Sequence, residues 1–311
     1  MTTAAHETGA RRVLVTGATG FIGRHALTPL RNLGFEVHAT ARSVPEDSPA
    51  EIHWHAVDLF APDAVDALLA IIRPTHLLHF AWYAEHGKFW ESPYNLDWLG
   101  ASVTLLRAFA ESGGKRFVGA GTCAEYDWTE AGSAAAYRFD EDRTPLRPTT
   151  LYGAAKASTF LTGSAYARNT GLSFAWGRVF HLFGPGEAPA RIVPALARAH
   201  ALKERLECGP ETQTRDFLPA FAVGEAFAHL CASEAQGPVN IGSGRERTLG
   251  ELSTAIASLA GTQGDIRFGV LPGSGPERLV PLVRRLTAET GWIPPVDPDA
   301  GLREMLPKIL F

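Results

Sequence analysis

The chain has 311 residues, 45% of them hydrophobic and 20% charged, with 29 basic against 33 acidic side chains and a formal net charge of −4. That is the composition of a globular protein, long enough for a full α/β domain and a smaller lobe. It excludes a disordered or fibrous chain, and the mild acidity argues against a nucleic-acid footprint. Every apolar run is broken by Gly, Pro or charge before it reaches membrane-spanning length, so no membrane segment is expected. The polar first dozen residues do not read as a signal peptide. Three widely spaced cysteines, Cys123, Cys208 and Cys231, suit a reducing compartment better than a disulfide framework or a cysteine-based zinc module. The expected setting is the cytoplasm, and no metal site is expected.

In chain order, residues 1–10 read as a flexible N-terminus. Arg12 to Thr16 is a β-branched run that stops at Gly17. An apolar-periodic stretch from Phe21 to Leu33 follows, with Gly34 as its stop. Strands are then expected at Glu36–Ala41, Ile52–Val57, His76–Ala81, Arg116–Ala120 and Leu172–Val179. Helical patterns separate them at Pro62–Ile72, Leu96–Ser112 and Tyr152–Asn169. Strands alternating with helices at this spacing predict βαβ units and a doubly wound parallel sheet, an α/β fold, over residues 11–183. Beyond Gly184 the alternation loosens among prolines. Residues 184–311 are expected to form mainly a smaller α/β substrate lobe, with part of 211–245 returning to the sheet. Helices are expected there at Phe221–Ser233, Leu249–Leu259 and Ala300–Leu306.

The turn Thr16-Gly17-Ala18-Thr19-Gly20-Phe21-Ile22-Gly23 sits between the first strand and the first helix. Glycines spaced by three allow a tight turn, a close backbone approach to a pyrophosphate and close helix–strand packing. The phosphates would lie on free N–H groups at the helix start. The second strand ends Thr40-Ala41-Arg42-Ser43 with no acid until Glu46. A 2′-hydroxyl calls for an acid there and a 2′-phosphate for a cation, so Arg42 favours NADP(H), with NAD(H) as the alternative. Asp58-Leu59, after the third strand, is placed either to meet the adenine edge or to cap the next helix.

Tyr152 and Lys156 stand four apart, on one face of a helix. A neighbouring ammonium, with the positive charge of an oxidised nicotinamide, favours the phenolate and is expected to draw the tyrosine down toward its working range. Thr122 follows the fifth strand and can donate to a developing alkoxide; its simpler role is a cap. Trp82, Tyr83, Phe89 and Trp90 form an aromatic group that either walls a substrate or fills a core.

With these residues in place, the chain resembles the extended short-chain dehydrogenase/reductase superfamily, in its NAD-dependent epimerase/dehydratase branch, along nearly its whole length. The glycine motif, the Tyr152/Lys156 pair, Thr122 four before Tyr126, Arg178 to Pro185, Arg215-Asp216-Phe217, Val239 to Gly244 and Thr290 to Pro294 carry the likeness. The resemblance implies a Rossmann-like domain, a nucleotide-sugar substrate and a homodimer through the Leu96–Ser112 and Tyr152–Asn169 helices. It implies catalysis by Thr122, Tyr152 and Lys156. The cofactor would lie on Gly17, Thr19, Gly20, Phe21, Ile22 and Gly23. Arg42, Asp58, Leu59, Ala81, Tyr152 and Lys156 would complete that site. Substrate contacts are expected at Thr122, Trp82, His181 and Arg215.

Departures narrow the chemistry. Cys123 and Ala124 stand where dehydratases carry Asp-Glu, Ala124 where 3,5-epimerases carry Cys, and His181 where Asn is usual. The resulting expectation is NADPH-dependent reduction of a nucleotide-activated keto-deoxysugar, as in deoxysugar biosynthesis. The alternatives are a nucleotide-sugar 4-epimerase and a non-catalytic NADP-sensing protein.

Overall fold

The computed structural model describes residues 11–310 apart from 48, 130–136, 274 and 295–296. The stretch read as a flexible N-terminus, 1–10, lies outside the described residues. β1 (Arg12–Thr16), α1 (Gly23–Asn32), β2 (Glu36–Ala41), β3 (His53–Ala56), α2 (Pro62–Ile72) and β4 (His76–His79) come first. α3 (Tyr94–Glu111), β5 (Arg116–Thr122), α4 (Leu151–Thr170) and β6 (Ser173–Val179) follow. The stretch expected to be helical from Phe21 begins instead at Gly23, because residues 17–22 are taken up by the turn.

The chain then leaves the sheet through β7 (His181–Phe183), α5 (Ile192–Leu202), β8 (Arg205–Glu207), β9 (Thr214–Arg215) and β10 (Phe217–Pro219). It returns with α6 (Ala220–Ala232) and β11 (Gly237–Ile241). β12 (Arg247–Thr248), α7 (Leu249–Ala260), β13 (Asp265–Arg267), β14 (Arg278–Leu279), α8 (Arg284–Thr290) and α9 (Pro298–Leu310) end it. The main sheet is parallel, seven-stranded and ordered β11-β6-β5-β4-β1-β2-β3. Its order reverses between β1 and β4, so a crevice opens at the carboxyl ends of those strands, where doubly wound folds take their ligands.

β1 and β5 are buried along nearly their whole lengths, as strands covered on both faces must be. One core lies between the sheet and α1 and α6, around Leu30, Val37, Phe227 and Val239. A second fills the other face beneath α2, α3 and α4, around Leu69, Phe109, Phe117 and Trp176. A third, with Phe183, Leu196, Phe217, Ile256 and Met305, belongs to the C-terminal segments alone. The apolar run of α6 is buried core along most of its length. Arg116, itself buried, ties its far end to the sheet by donating to Leu230 O at 2.8 Å and Ala235 O at 2.6 Å. Among the described residues no helix is long and apolar enough to cross a membrane.

α1 and α6 approach so closely that a Cβ on Gly224 would stand 2.6 Å from the His25 carbonyl carbon and 2.8 Å from its oxygen. Backbone cannot yield as a side chain does. Gly224→Ala is therefore expected to destabilise the fold by about 1–3 kcal/mol, the usual cost of overpacking. Gly100, on α3, has nothing within 4 Å of its would-be Cβ. There the same substitution is expected to stabilise by about 0.5–1 kcal/mol through helix propensity. Urea midpoints of the two variants test the pair; equal midpoints would contradict the close α1–α6 seam.

Candidate active site

The glycine turn is built as its spacing implies. Gly17 has φ +66°, and a Cβ there would lie 2.6 Å from Ala81 N. Ile22 caps α1 without a side-chain hydrogen bond, and the first turn holds no acid; Arg24 N and His25 N donate to Gly20 O and Ile22 O, and an anion would meet the helix start ahead of them. Thr19 and Gly20 are exposed at the turn's crest, with Phe21 and Ile22 partly buried beside them. Beneath it, Thr16 Oγ1 meets His79 Nδ1 at 2.6 Å, and His79 Nε2 meets Ser102 Oγ at 2.8 Å. Thr16 Oγ1 also accepts from Ala81 N at 3.5 Å. The His79 imidazole thus laces the end of β1 to the end of β4 and to α3. Burial drives its pKa down to about 3, with Lys156 contributing, so it stays neutral at any working pH.

Arg42 is exposed at the end of β2. Asp58 holds a local turn, its Oδ1 accepting from Phe60 N at 3.0 Å, next to a partly buried Leu59.

Thr122 closes β5 rather than following it, and it caps a single turn of 3-10 helix, Cys123–Glu125. Its Oγ1 accepts from Ala124 N at 3.2 Å, and Glu125 Oε1 returns to Thr122 N at 2.8 Å. This is a capping box, Thr-x-x-Glu, a signal present in the sequence and not read there. α4 starts against the same turn, because Gly153 has no Cβ where one would meet Ala124 O at 2.3 Å. That contact brings Tyr152 and Thr122 side by side.

The Tyr152 ring is held edge-on by Phe89, Trp90 and Trp82, at centroid distances of 4.8, 5.8 and 6.5 Å. Lys156, one turn on, donates from Nζ to Ala120 O at 2.7 Å and lies 3.8 Å from the Trp82 ring centre. Trp82 therefore packs on the lysine, while its Nε1 donates to Asn95 Oδ1 at 2.9 Å.

The protein's own groups do not by themselves depress the tyrosine. Burial raises the phenol's pKa above its ordinary value, and the hydrogen bond with Thr122 offsets only part of this. Lys156 is itself brought down to about 7 by burial, with the Glu125 charge opposing the drop.

Behind Thr122 lies a buried polar network. Glu125 accepts from Trp176 Nε1 at 2.9 Å and from Arg178 Nε at 2.7 Å. Arg178 donates to Tyr126 Oη at 3.0 Å, and Tyr126 donates to Asn240 Oδ1 at 2.7 Å.

On the opposite side stand His181 on β7 and Arg215 on β9. Arg215 is buried and donates to Thr214 O at 2.8 Å and Glu277 O at 3.2 Å. Burial lowers it to about 10, while Cys123 lies near enough to raise it. His181 is lowered to about 3 by burial and by the charges of Arg215 and Arg191. The sequence reading missed Arg191, whose charge also bears on Tyr152, as well as Glu187 and His86 beside it. These belong to a loop and a helix start with no periodic signature. Cys123 is a buried small residue, its thiol pushed up to about 12. Among the described residues no group of three or more His, Cys, Asp or Glu is placed to hold a metal.

His79 generates a test in stability. Its pKa is about 3 folded against 6.5 unfolded, so the unfolded chain binds the extra proton and stability falls as pH drops through that window. His79→Asn is expected to reduce the proton uptake on unfolding by about one between pH 6 and 4. The check is the slope of unfolding free energy against pH; an unchanged slope would mean the imidazole is not held neutral.

A sequence profile of the NAD dependent epimerase/dehydratase family matches residues 13–242. UDP-glucuronic acid decarboxylase 1 of Xenopus tropicalis is 25% identical over 307 residues, spanning 96% of this chain and 72% of its own. The UDP-glucose 4-epimerase of Thermus thermophilus, solved in complex with NAD, superposes with a TM-score of 0.81 at 28% identity. The match covers 96% of this chain and 98% of that one. GDP-L-fucose synthase of Sinorhizobium fredii is 32% identical over 170 residues, 51% of this chain and 54% of its own. With its glycine turn, its parallel sheet and a profile match across most of its length, the chain belongs to the NAD dependent epimerase/dehydratase family.

Proposed function

We propose that the chain is an NADPH-dependent reductase of nucleotide-activated keto-deoxysugars. The observation that carries this reading is Tyr152 set beside Thr122, with Cys123 and Ala124 in the next two positions. The phenol, protonated at neutral pH and hydrogen-bonded with Thr122, is placed to donate to an alkoxide formed at a carbonyl carbon. Beside Thr122, Cys123 holds its proton to about pH 12 and Ala124 has none to give, so the pair needed to eliminate water is missing. The residues fit a dinucleotide: the uncapped start of α1, the turn at Gly17 and the exposed Arg42 favour one carrying a 2′-phosphate. When bound, it supplies the hydride.

The chain's own residues do the rest. Thr122 donates to the developing oxyanion, Tyr152 delivers the proton, and Lys156, freed from Ala120 O, turns its ammonium to the ribose. Arg215 and His181 face the nucleotide-sugar side. In this reading residues 11–183 with β11 bind the cofactor, and the segments from 184 bind the substrate. A homodimer would form through the outer faces of α3 and α4, where Tyr94, Leu96 and Leu161 are more than half exposed. The cytoplasm is the compartment this chemistry suits.

A nucleotide-sugar 4-epimerase is the second reading, favoured by the full-length likeness to the Thermus thermophilus enzyme.

Tyr152→Phe is expected to lower hydride transfer by about 10²–10⁴-fold while leaving NADPH affinity nearly unchanged. Stopped-flow oxidation of NADPH by a nucleotide-keto-sugar reads this, and wild-type turnover by the variant would remove Tyr152 from the chemistry. Should the wild type turn over no substrate at all, a binding protein would be the better description.

The cofactor reading has its own test. NADPH is expected to bind more tightly than NADH in a fluorescence titration. Ala41→Asp should reverse that order, because a carboxylate repels a 2′-phosphate and accepts from a 2′-hydroxyl. Equal affinities in the wild type would discard the preference.

A further inference from the structure

The loop from Gly184 to Arg191 joins β7 to α5 and carries an acid that none of the steps above uses. The Glu187 side chain is only 4% exposed. Its Oε2 is buried without a hydrogen-bond partner, and so is Nδ1 of His181. Arg191 is close to the first: its Nη1 is 3.9 Å from Glu187 Oε1, and its charge bears on both His181 and Tyr152. Two buried polar atoms without partners thus belong to side chains that feel one guanidinium, whose charge also reaches the Tyr152 phenol. A buried acceptor left unpaired costs about 1–3 kcal/mol, which a protein keeps where a ligand will satisfy it.

The loop that closes over these atoms is held by weak, solvent-facing contacts. Arg24, just past the glycine turn, donates to Pro185 O, and Arg191 Nε lies 3.4 Å from His86 Nδ1. Both contacts are exposed and add little to the hold on the loop. Burial raises Glu187 to about 7 while Arg191, 3.9 Å from Oε1, and the Gly184 backbone favour its ionised form, and the ionised Oε2 calls for a donor from the ligand.

We propose that Glu187 is a specificity-determining residue whose Oε2 accepts a hydrogen bond from a hydroxyl on the sugar ring of the substrate. This rests on the nucleotide-sugar reading above and adds to it that the ring keeps a hydroxyl facing the 184–191 loop, so a sugar stripped of that group binds less well. The neighbouring Arg191 sets the carboxylate's orientation, and His181 offers its free nitrogen to the same ring.

The test uses the full chain saturated with NADPH. UDP-glucose, dTDP-glucose and GDP-mannose are titrated calorimetrically, each beside its parent diphosphate UDP, dTDP or GDP. For the best-binding sugar nucleotide, Glu187→Ala is expected to weaken affinity about ten-fold while the diphosphate binds as before. Glu187→Gln keeps an acceptor oxygen and the side chain's volume, so it should lose less than the alanine variant. A purely structural role would move sugar nucleotide and diphosphate together, and that result overturns the inference. So does unchanged sugar-nucleotide affinity in Glu187→Ala; in both cases the enzyme reading stands. If the wild type binds none of the six probes, the nucleotide-sugar reading falls and the inference falls with it.

Discussion

The ion pair between Glu125 and Arg178 is the constraint from which the site takes its shape. Both side chains are out of water, at 0% and 1% exposure, and Nε lies 2.7 Å from Oε2. Burying such a pair gains little by itself, but removing either partner strands a charge and costs about 3–5 kcal/mol. The pair therefore acts as a pin. Glu125 uses its other oxygen on Trp176 Nε1 and on Thr122 N, which fixes the turn after β5. Arg178 passes the constraint through Tyr126 to Asn240 on β11. Three neighbouring strands are thus registered at their carboxyl ends, where Thr122 must hold its angle to Tyr152.

Desolvation sets the proton state of everything around that pin. The same burial that raises Tyr152 lowers Lys156 to about 7 and holds His79 and His181 near 3. Apart from the ion pair and the arginines, the crevice is close to neutral. A charged ligand entering it meets little screening, so an arginine there counts for more than one on the surface. The Trp82 ring against Lys156 belongs to the same scarcity of charge, since a π face is what a partly desolvated ammonium can still find.

Much of this architecture was legible in the residues. The strand at 36–41 and the helix at 62–72 are where period and breakers put them, because a buried parallel strand and an amphipathic helix leave local marks. The glycine turn and the Tyr152/Lys156 pair were legible for the same reason: each is a short motif with a fixed geometric purpose. What stayed hidden was set by tertiary contact. Whether a lysine four residues from a tyrosine lowers its pKa depends on how deeply both are buried, and spacing says nothing about burial. The Glu125–Arg178 pair joins residues 53 apart in sequence. Arg191 and Glu187 lie in a proline-rich loop whose path is decided by the lobe it covers. Thr122 was read as following a strand, though its capping box with Glu125 was there to be seen.

The route of the chain through the main sheet has a consequence for synthesis. β6 closes at Val179, yet its outer neighbour β11 is not made until residues 237–241, after α5, the short strands and α6 have been translated. At 5–20 residues per second, a growing chain waits about 3–12 seconds with one edge of its parallel sheet open. During that interval β6 presents unpaired N–H and C=O groups flanking the apolar Trp176 and Val179, the sort of edge that recruits stray strands. α6 must reach α1 before the edge is covered, so the segment between the two halves is a timer as much as a lobe. A graft that exchanged part of residues 184–219 for a longer insert would lengthen the exposure while leaving every strand pairing of the seven-stranded sheet as it is.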